Sequence, residues 1–189
     1  MRLSKKGVTL IELLIVVGII SIVAAVGGDI LLTVIRAYKK AQILGTVEQN
    51  GSLASTLIEN NLRNSAVIKY EDLGQFVEVG EGQVVRTDYV KIISAQGVSS
   101  TIQFVEGGGG SCPNGRIEVD GVEITNIDTT IGVNITRKAG ATSVFTIYKP
   151  VNGSPVVTVV FDVRQACQSP VTANAEFNTT ITLRGSYGN

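Results

Sequence analysis

Residues 8–28 form an apolar run interrupted by a single charge, Glu12. As an α-helix rising about 1.5 Å per residue, the run measures roughly 31 Å. That matches a bilayer hydrocarbon core of about 30 Å. A carboxylate inside such a span costs about 2.5–3.5 kcal/mol at the bilayer centre and less near the ends. A charge retained there points to function and asks for a partner.

The residues around that charge carry a resemblance. Lys5-Lys6-Gly7-Val8-Thr9-Leu10-Ile11-Glu12-Leu13-Leu14 resembles the class 3 signal of bacterial type IV prepilins and pseudopilins. The resemblance implies that prepilin peptidase cuts between Gly7 and Val8 on the cytoplasmic side of the membrane. It then methylates the new amine, so that N-methyl-Val8 begins the mature chain. Glu12 falls on the family's fifth mature position, whose carboxylate neutralises the N-terminal amine of a neighbouring subunit. Elementary electrostatics agrees. An amine and a carboxylate are each costly alone in an apolar filament core and compensate one another when paired, so the pair would set register more than add stability. Two positions depart from the pattern. Val8 stands where the family usually has Phe or Met. Asp29, after Gly27-Gly28, stands where many major pilins have proline. The missing proline leans toward a minor pilin or a pseudopilin.

Two plainer readings compete. A secretory signal peptide has an uncharged apolar region of 7–15 residues; this run is longer and holds Glu12, although Ala25-Val26-Gly27 is a small-x-small site. A plain signal anchor would tolerate Glu12 through water penetration.

Periodicity continues past the span. Leu31, Val34, Tyr38, Ala41, Leu44, Val47, Ala54, Leu57, Ile58 and Leu62 recur at near-helical spacing, which predicts an amphipathic continuation. Gly45 and Gly51 weaken it without ending it. Asn60, Asn61 and Asn64-Ser65 mark its exit. A helix apolar on all sides is buried in lipid or in a larger assembly, and a one-sided stripe packs on a domain. Beyond it the chain reads as strands: 67–70, 76–79, 84–86, 89–94, 101–105, 116–119, 122–125, 144–148, 156–163 and 177–183. Asp120-Gly121 is a strong two-residue hairpin signal, and Asn152-Gly153-Ser154-Pro155 a longer turn. Val156–Phe161 is the most apolar strand and is expected to be central, with the last strand closing the sheet. The expected fold is α+β, a long N-terminal helix packed on an antiparallel sheet, the pilin architecture. Its expected parts are a leader over 1–7, a membrane or filament-core helix over 8–28, an amphipathic continuation over 29–65 and a β-rich domain over 66–189.

Composition narrows the function. The 16 basic and 16 acidic residues balance. Losing Arg2, Lys5 and Lys6 with the leader turns the mature chain slightly acidic, so no nucleic-acid footprint is evident. Histidine is absent, which removes the commonest general base and metal ligand. Cys112 and Cys167 fit one disulfide in an oxidising compartment, worth about 4 kcal/mol in the chain-entropy account; the alternative is two reduced, buried thiols. Their spacing suits neither a zinc site nor a CxxC redox pair.

Other candidates carry less. Gly107-Gly108-Gly109-Gly110-Ser111 lacks the Lys and Ser/Thr ending of a P-loop. Asp120, Glu123 and Asp128 do not match the EF-hand spacing. Asn50, Asn134, Asn152 and Asn178 head Asn-x-Ser/Thr triplets of little weight in a bacterial chain. Arg36, Lys39 and Lys40 form a basic cluster past the span, read as a solvated helix face or a contact with head groups. Glu71-Asp72, Glu78 and Glu81 read as a solvated loop face. The expectation is a structural, non-enzymatic filament subunit without cofactor or metal, held first in the inner membrane with its domain outside and then moved into a filament at the cell surface or in the periplasm. Its partners would be prepilin peptidase and other pilin-like subunits. The alternative is a membrane-anchored surface binding protein or adhesin that never polymerises. A third class, a tethered enzyme, lacks any catalytic constellation.

Overall fold

The computed structural model describes residues 8–108, 114–166 and 172–183. Gly7, Cys112 and Cys167, and with them the cysteine pairing, lie outside the described residues. The chain divides into two compact units, Met1–Ala41 and Gln42–Asn189. One helix, α1 (Leu10–Arg63), contributes to both.

In the first unit α1 is apolar on every side, and its side chains from Leu10 to Leu32 are exposed. All four prolines lie beyond residue 112, so nothing there removes a helical N–H. The few hydroxyls are spent locally. Ser21 Oγ donates to Val17 O at 2.8 Å and Thr33 Oγ1 to Asp29 O at 2.9 Å, so neither hydroxyl is left as an unsatisfied donor.

In the second unit α1 buries Val47, Gly51, Ala54, Ile58 and Leu62. That is one face at steps of three and four residues. Leu57 is half-buried. The buried stripe is shorter than the periodicity predicts, because Leu31, Val34, Tyr38 and Leu44 are exposed. Spacing marks where apolar residues fall on a helix; it does not say what covers them. The helix ends at Arg63, inside the asparagine-rich exit.

Eleven strands follow among the described residues, and every pair is antiparallel. They are β1 (Ser65–Asp72), β2 (Gln75–Glu78), β3 (Val84–Thr87), β4 (Tyr89–Ser94), β5 (Ser99–Val105) and β6 (Arg116–Val119). Then come β7 (Val122–Glu123), β8 (Val133–Thr136), β9 (Phe145–Tyr148), β10 (Val156–Gln165) and β11 (Asn174–Thr182). Where one sheet was expected there are two. One has the order β2-β1-β4-β5-β6-β7; the other runs β11-β10-β9-β3, with β8 also on β10. β10 is central as expected. It pairs with β11 from Val156 to Arg164, while its other edge is shared by β9 at Val156–Val159 and β8 at Asp162–Gln165. β11 ends its sheet. β8 is absent from the sequence reading, and β7 stops at Glu123 rather than at Thr125.

The hairpins follow turn chemistry. Asp120 and Gly121 join β6 to β7 with φ of 53° and 78°, the doubly positive pattern that matches strand twist. Leu73-Gly74 joins β1 to β2 in the same way, at 49° and 80°. Both sheets and the α1 stripe share one core, whose largest members include Phe145, Phe161, Ile58, Leu62 and Ile147. Phe161 stacks on Phe177 with ring centroids 5.5 Å apart.

A polar node ties the sheets together. Asp88, between β3 and β4, accepts from Arg137 Nε and Nη2 at 3.0 and 2.6 Å and from Val144 N at 2.7 Å. Arg137 also meets Glu106 at 2.8 Å and lies over the Phe104 ring at 5.1 Å. The Asp88 hydrogen bonds, then those of Glu106, hold its guanidinium more firmly protonated than usual.

Candidate functional site

The site is built at the start of α1. Val8 is exposed, and Thr9 is the last residue before the helix. Glu12 N donates to Thr9 Oγ1 at 3.4 Å, and Leu13 N donates to Thr9 O at 3.2 Å. Thr9 is therefore the N-cap and Glu12 the third helical residue. Thr9-Leu10-Ile11-Glu12 has the Thr-x-x-Glu pattern of a capping box, of which the Thr9 half is formed: its hydroxyl satisfies one amide that the first turn leaves without a partner. Val8 and Leu13 occupy the two positions of a hydrophobic staple around that cap. The sequence reading missed this role of Thr9, although the pattern stands directly before an apolar run. Glu12 also sits in the first turn, where the helix dipole favours an anion.

The Glu12 carboxylate makes no ion pair and no side-chain hydrogen bond among the described residues. It is surrounded on its own helix by exposed Leu10, Ile11, Leu13, Leu14 and Ile15. Among the described residues α1 holds the one segment long and apolar enough to cross a membrane, and none of that segment's residues is buried. Such a surface is much larger than soluble monomers leave open to water. It calls for lipid or for other helices. Past the span, Arg36, Lys39 and Lys40 are exposed as the sequence suggested.

The prokaryotic N-terminal methylation motif matches residues 2–28. The chain carries the signal of type IV prepilins and pseudopilins. The motif supports a type IV pilin-like protein; it covers the start of the chain and not the sheet domain. The motif implies processing by prepilin peptidase and assembly of the pilin kind, and with the apolar helix it is consistent with membrane anchoring. No curated protein and no solved structure matches the chain.

The remaining candidates of this pilin-like chain are not brought together into a centre. The Asp120 carboxylate accepts from Ser100 Oγ at 2.7 Å and Thr101 N at 2.6 Å, and these bonds pull it below the ordinary carboxylate range. Asp128 accepts from Ile131 N and Thr130 N, which also lower it. Glu123 faces Arg116 at 3.3 Å. Among the described residues no three His, Cys, Asp or Glu side chains gather as a metal set would. A surface cavity of about 450 Å³ opens beside Val67, Val79, Lys149 and Pro155. Glu78 and Glu81 line it, and Glu78 lies 3.4 Å from Lys69.

Proposed function

We propose that this chain is a minor pilin or pseudopilin, cut between Gly7 and Val8, N-methylated on Val8, and packed helix to helix into a type IV pilus-like filament. In this reading Glu12 neutralises the Val8 amine of a neighbouring subunit. The domain of residues 66–189 is displayed outside the membrane, and the 8–28 helix is the part shared between membrane and filament core. The observation that carries the reading is a methylation motif ending on a helix whose apolar surface is exposed all round, with one unpartnered carboxylate five residues after the implied cut. A buried charge without a partner costs several kcal/mol, and a staggered neighbour's amine is the charge that the implied processing creates.

Two measurements in the native host test this. The intact mass and N-terminal sequence of the membrane-extracted protein should report N-methyl-Val8. Glu12→Ala should leave membrane levels unchanged and remove the protein from the sheared filament fraction. A chain beginning at Met1 would indicate a plain anchor, and one beginning near Gly28 a secreted domain; either result overturns the filament reading.

A further inference from the structure

In the first unit, four side chains of α1 past the first turns bear charge without a partner among the described residues. Asp29, Arg36, Lys39 and Lys40 make no ion pair among the described residues and are exposed. Their positions are patterned. At 3.6 residues per turn, Arg36 and Lys40 each lie about 20° around the helix from Asp29. Asp29, Thr33, Arg36 and Lys40 thus make one stripe, negative at its N-terminal end and positive at its C-terminal end. Lys39 sits on the flank. Asp29 and Arg36 are about 10.5 Å apart along the axis, too far to pair within one helix. Arginine on a helix leans toward the N-terminus, so the Arg36 head points back along the stripe.

We propose that Asp29 of one copy of this chain pairs with Arg36 of a second, parallel copy displaced by about two helical turns. The inference rests on the filament reading above and adds the stagger and the contact. Charge complementarity selects the occupant and the spacing. Two copies packed in register would set Asp29 beside Asp29 and Arg36 beside Arg36, like against like. A stagger of seven residues brings Asp29 of one copy level with Arg36 of the next, with Lys40 one turn further on as a second cation. Gly27 and Gly28 precede Asp29, and a Cβ at either would meet nothing within 4 Å, so a neighbouring backbone can approach closely there. Among packed helices the pair would sit at low dielectric, where attraction and repulsion both strengthen. The contact is heterologous: each copy offers Asp29 to one neighbour and Arg36 to another. Repeated contacts of that kind do not close and build an open helical filament.

The test uses the full chain in its native host, scored by protein recovered in sheared filaments at equal membrane level. Asp29→Arg and Arg36→Asp, each alone, should lower recovery by about tenfold or more, because each sets like charges abreast. Producing both variants together should restore recovery to within about twofold. The arginine introduced in one copy then meets the aspartate introduced in the other, while the native Asp29 and Arg36 pair at the next contact. Rescue in trans is the result that a pairing within one chain, or with head groups, does not give. Wild-type protein found in filaments with N-methyl-Val8 while Asp29→Arg is recovered normally, or while co-production fails to rescue, overturns this pairing and leaves the filament reading standing. Wild-type protein absent from filaments overturns both.

Discussion

Gly51 and Gly45 lie in the same helix, yet alanine should act on them with opposite sign. A Cβ at Gly45 would meet nothing within 4 Å. Gly45→Ala should therefore gain only the helix-propensity difference, about 1 kcal/mol of stability. A Cβ at Gly51 would lie 2.0 Å from Phe177 Cε2 and 2.3 Å from its Cζ, well inside contact distance. The ring must swing away, which breaks its stack on Phe161 and opens the seam between α1 and β11. Overpacking of this kind costs about 1–3 kcal/mol, and the propensity gain offsets about 1 kcal/mol of it. The difference between the two variants cancels the propensity term and isolates the clash at about 1–3 kcal/mol. Thermal melts of the full chain in detergent micelles, followed by near-UV circular dichroism, convert this at roughly 2–4 °C per kcal/mol. The Gly51→Ala penalty should vanish in a Phe177→Ala background, where the added methyl enters vacated space. Equal stabilisation by both single alanines, or a penalty that survives removal of the ring, would refute the packing argument.

Two further outcomes concern polar contacts of the sheet domain. Asp88→Ala should destabilise by about 1.5–3 kcal/mol, because it removes the acceptor of the Val144 amide and leaves the partly buried Arg137 with Glu106 alone as its ion partner; a urea midpoint within error of wild type would contradict that. Asp120 has a folded pKa below its ordinary 3.8, so its contribution is full above the unfolded value and is lost as pH falls through the folded one. Asp120→Asn tolerates the same positive φ and removes the charge. The stability gap to wild type should be present at neutral pH and shrink below the ordinary 3.8; a gap constant across that range would show that the carboxylate bonds are not its source.

What the sequence disclosed depended on how local each cause is. The α1 helix was legible because 54 consecutive residues hold no proline, apolar all round in the first part and along one stripe in the second, and Asp120-Gly121 because two residues suffice to define that turn. β8 was not, since Val133–Thr136 gains its identity from Asp162–Gln165, far along the chain. The split into two sheets and the Asp88–Arg137 node, 49 residues apart in sequence, are likewise consequences of pairing that no window contains. Leu73 escaped notice because a fully exposed leucine with φ of 49° is an unusual occupant of a turn position that favours Asn or Gly. The stripe from Leu31 to Leu44 failed differently. Its period was right, but burial is a property of the neighbour. At the proposed site, Glu12 is legible as a misplaced charge, while the Thr9 cap is defined only once the helix is known to start at Leu10.

Those two roles of Glu12 can be separated. As the third helical residue it supports its own first turn: Glu or Gln at this position can complete a capping box, and a negative charge there also favours the helix dipole. As an assembly group it would answer a neighbour's amine, and only a carboxylate can do so. Glu12→Gln keeps the capping-box pattern and loses the charge, whereas Glu12→Ala loses both and leaves only the Thr9 hydroxyl on the residue-12 amide. The local contribution is small, about 0.3–1 kcal/mol for the dipole at an exposed terminus. An amine left unpaired among packed helices costs about 3–5 kcal/mol. If the amine pairing dominates, Gln and Ala should be equally deficient in filaments at equal membrane level, although Gln retains the local cap. If capping dominates, Gln should assemble nearly as well as wild type. Recovery of Glu12→Gln in sheared filaments at wild-type levels would therefore refute the amine-pairing role and leave Glu12 as a cap.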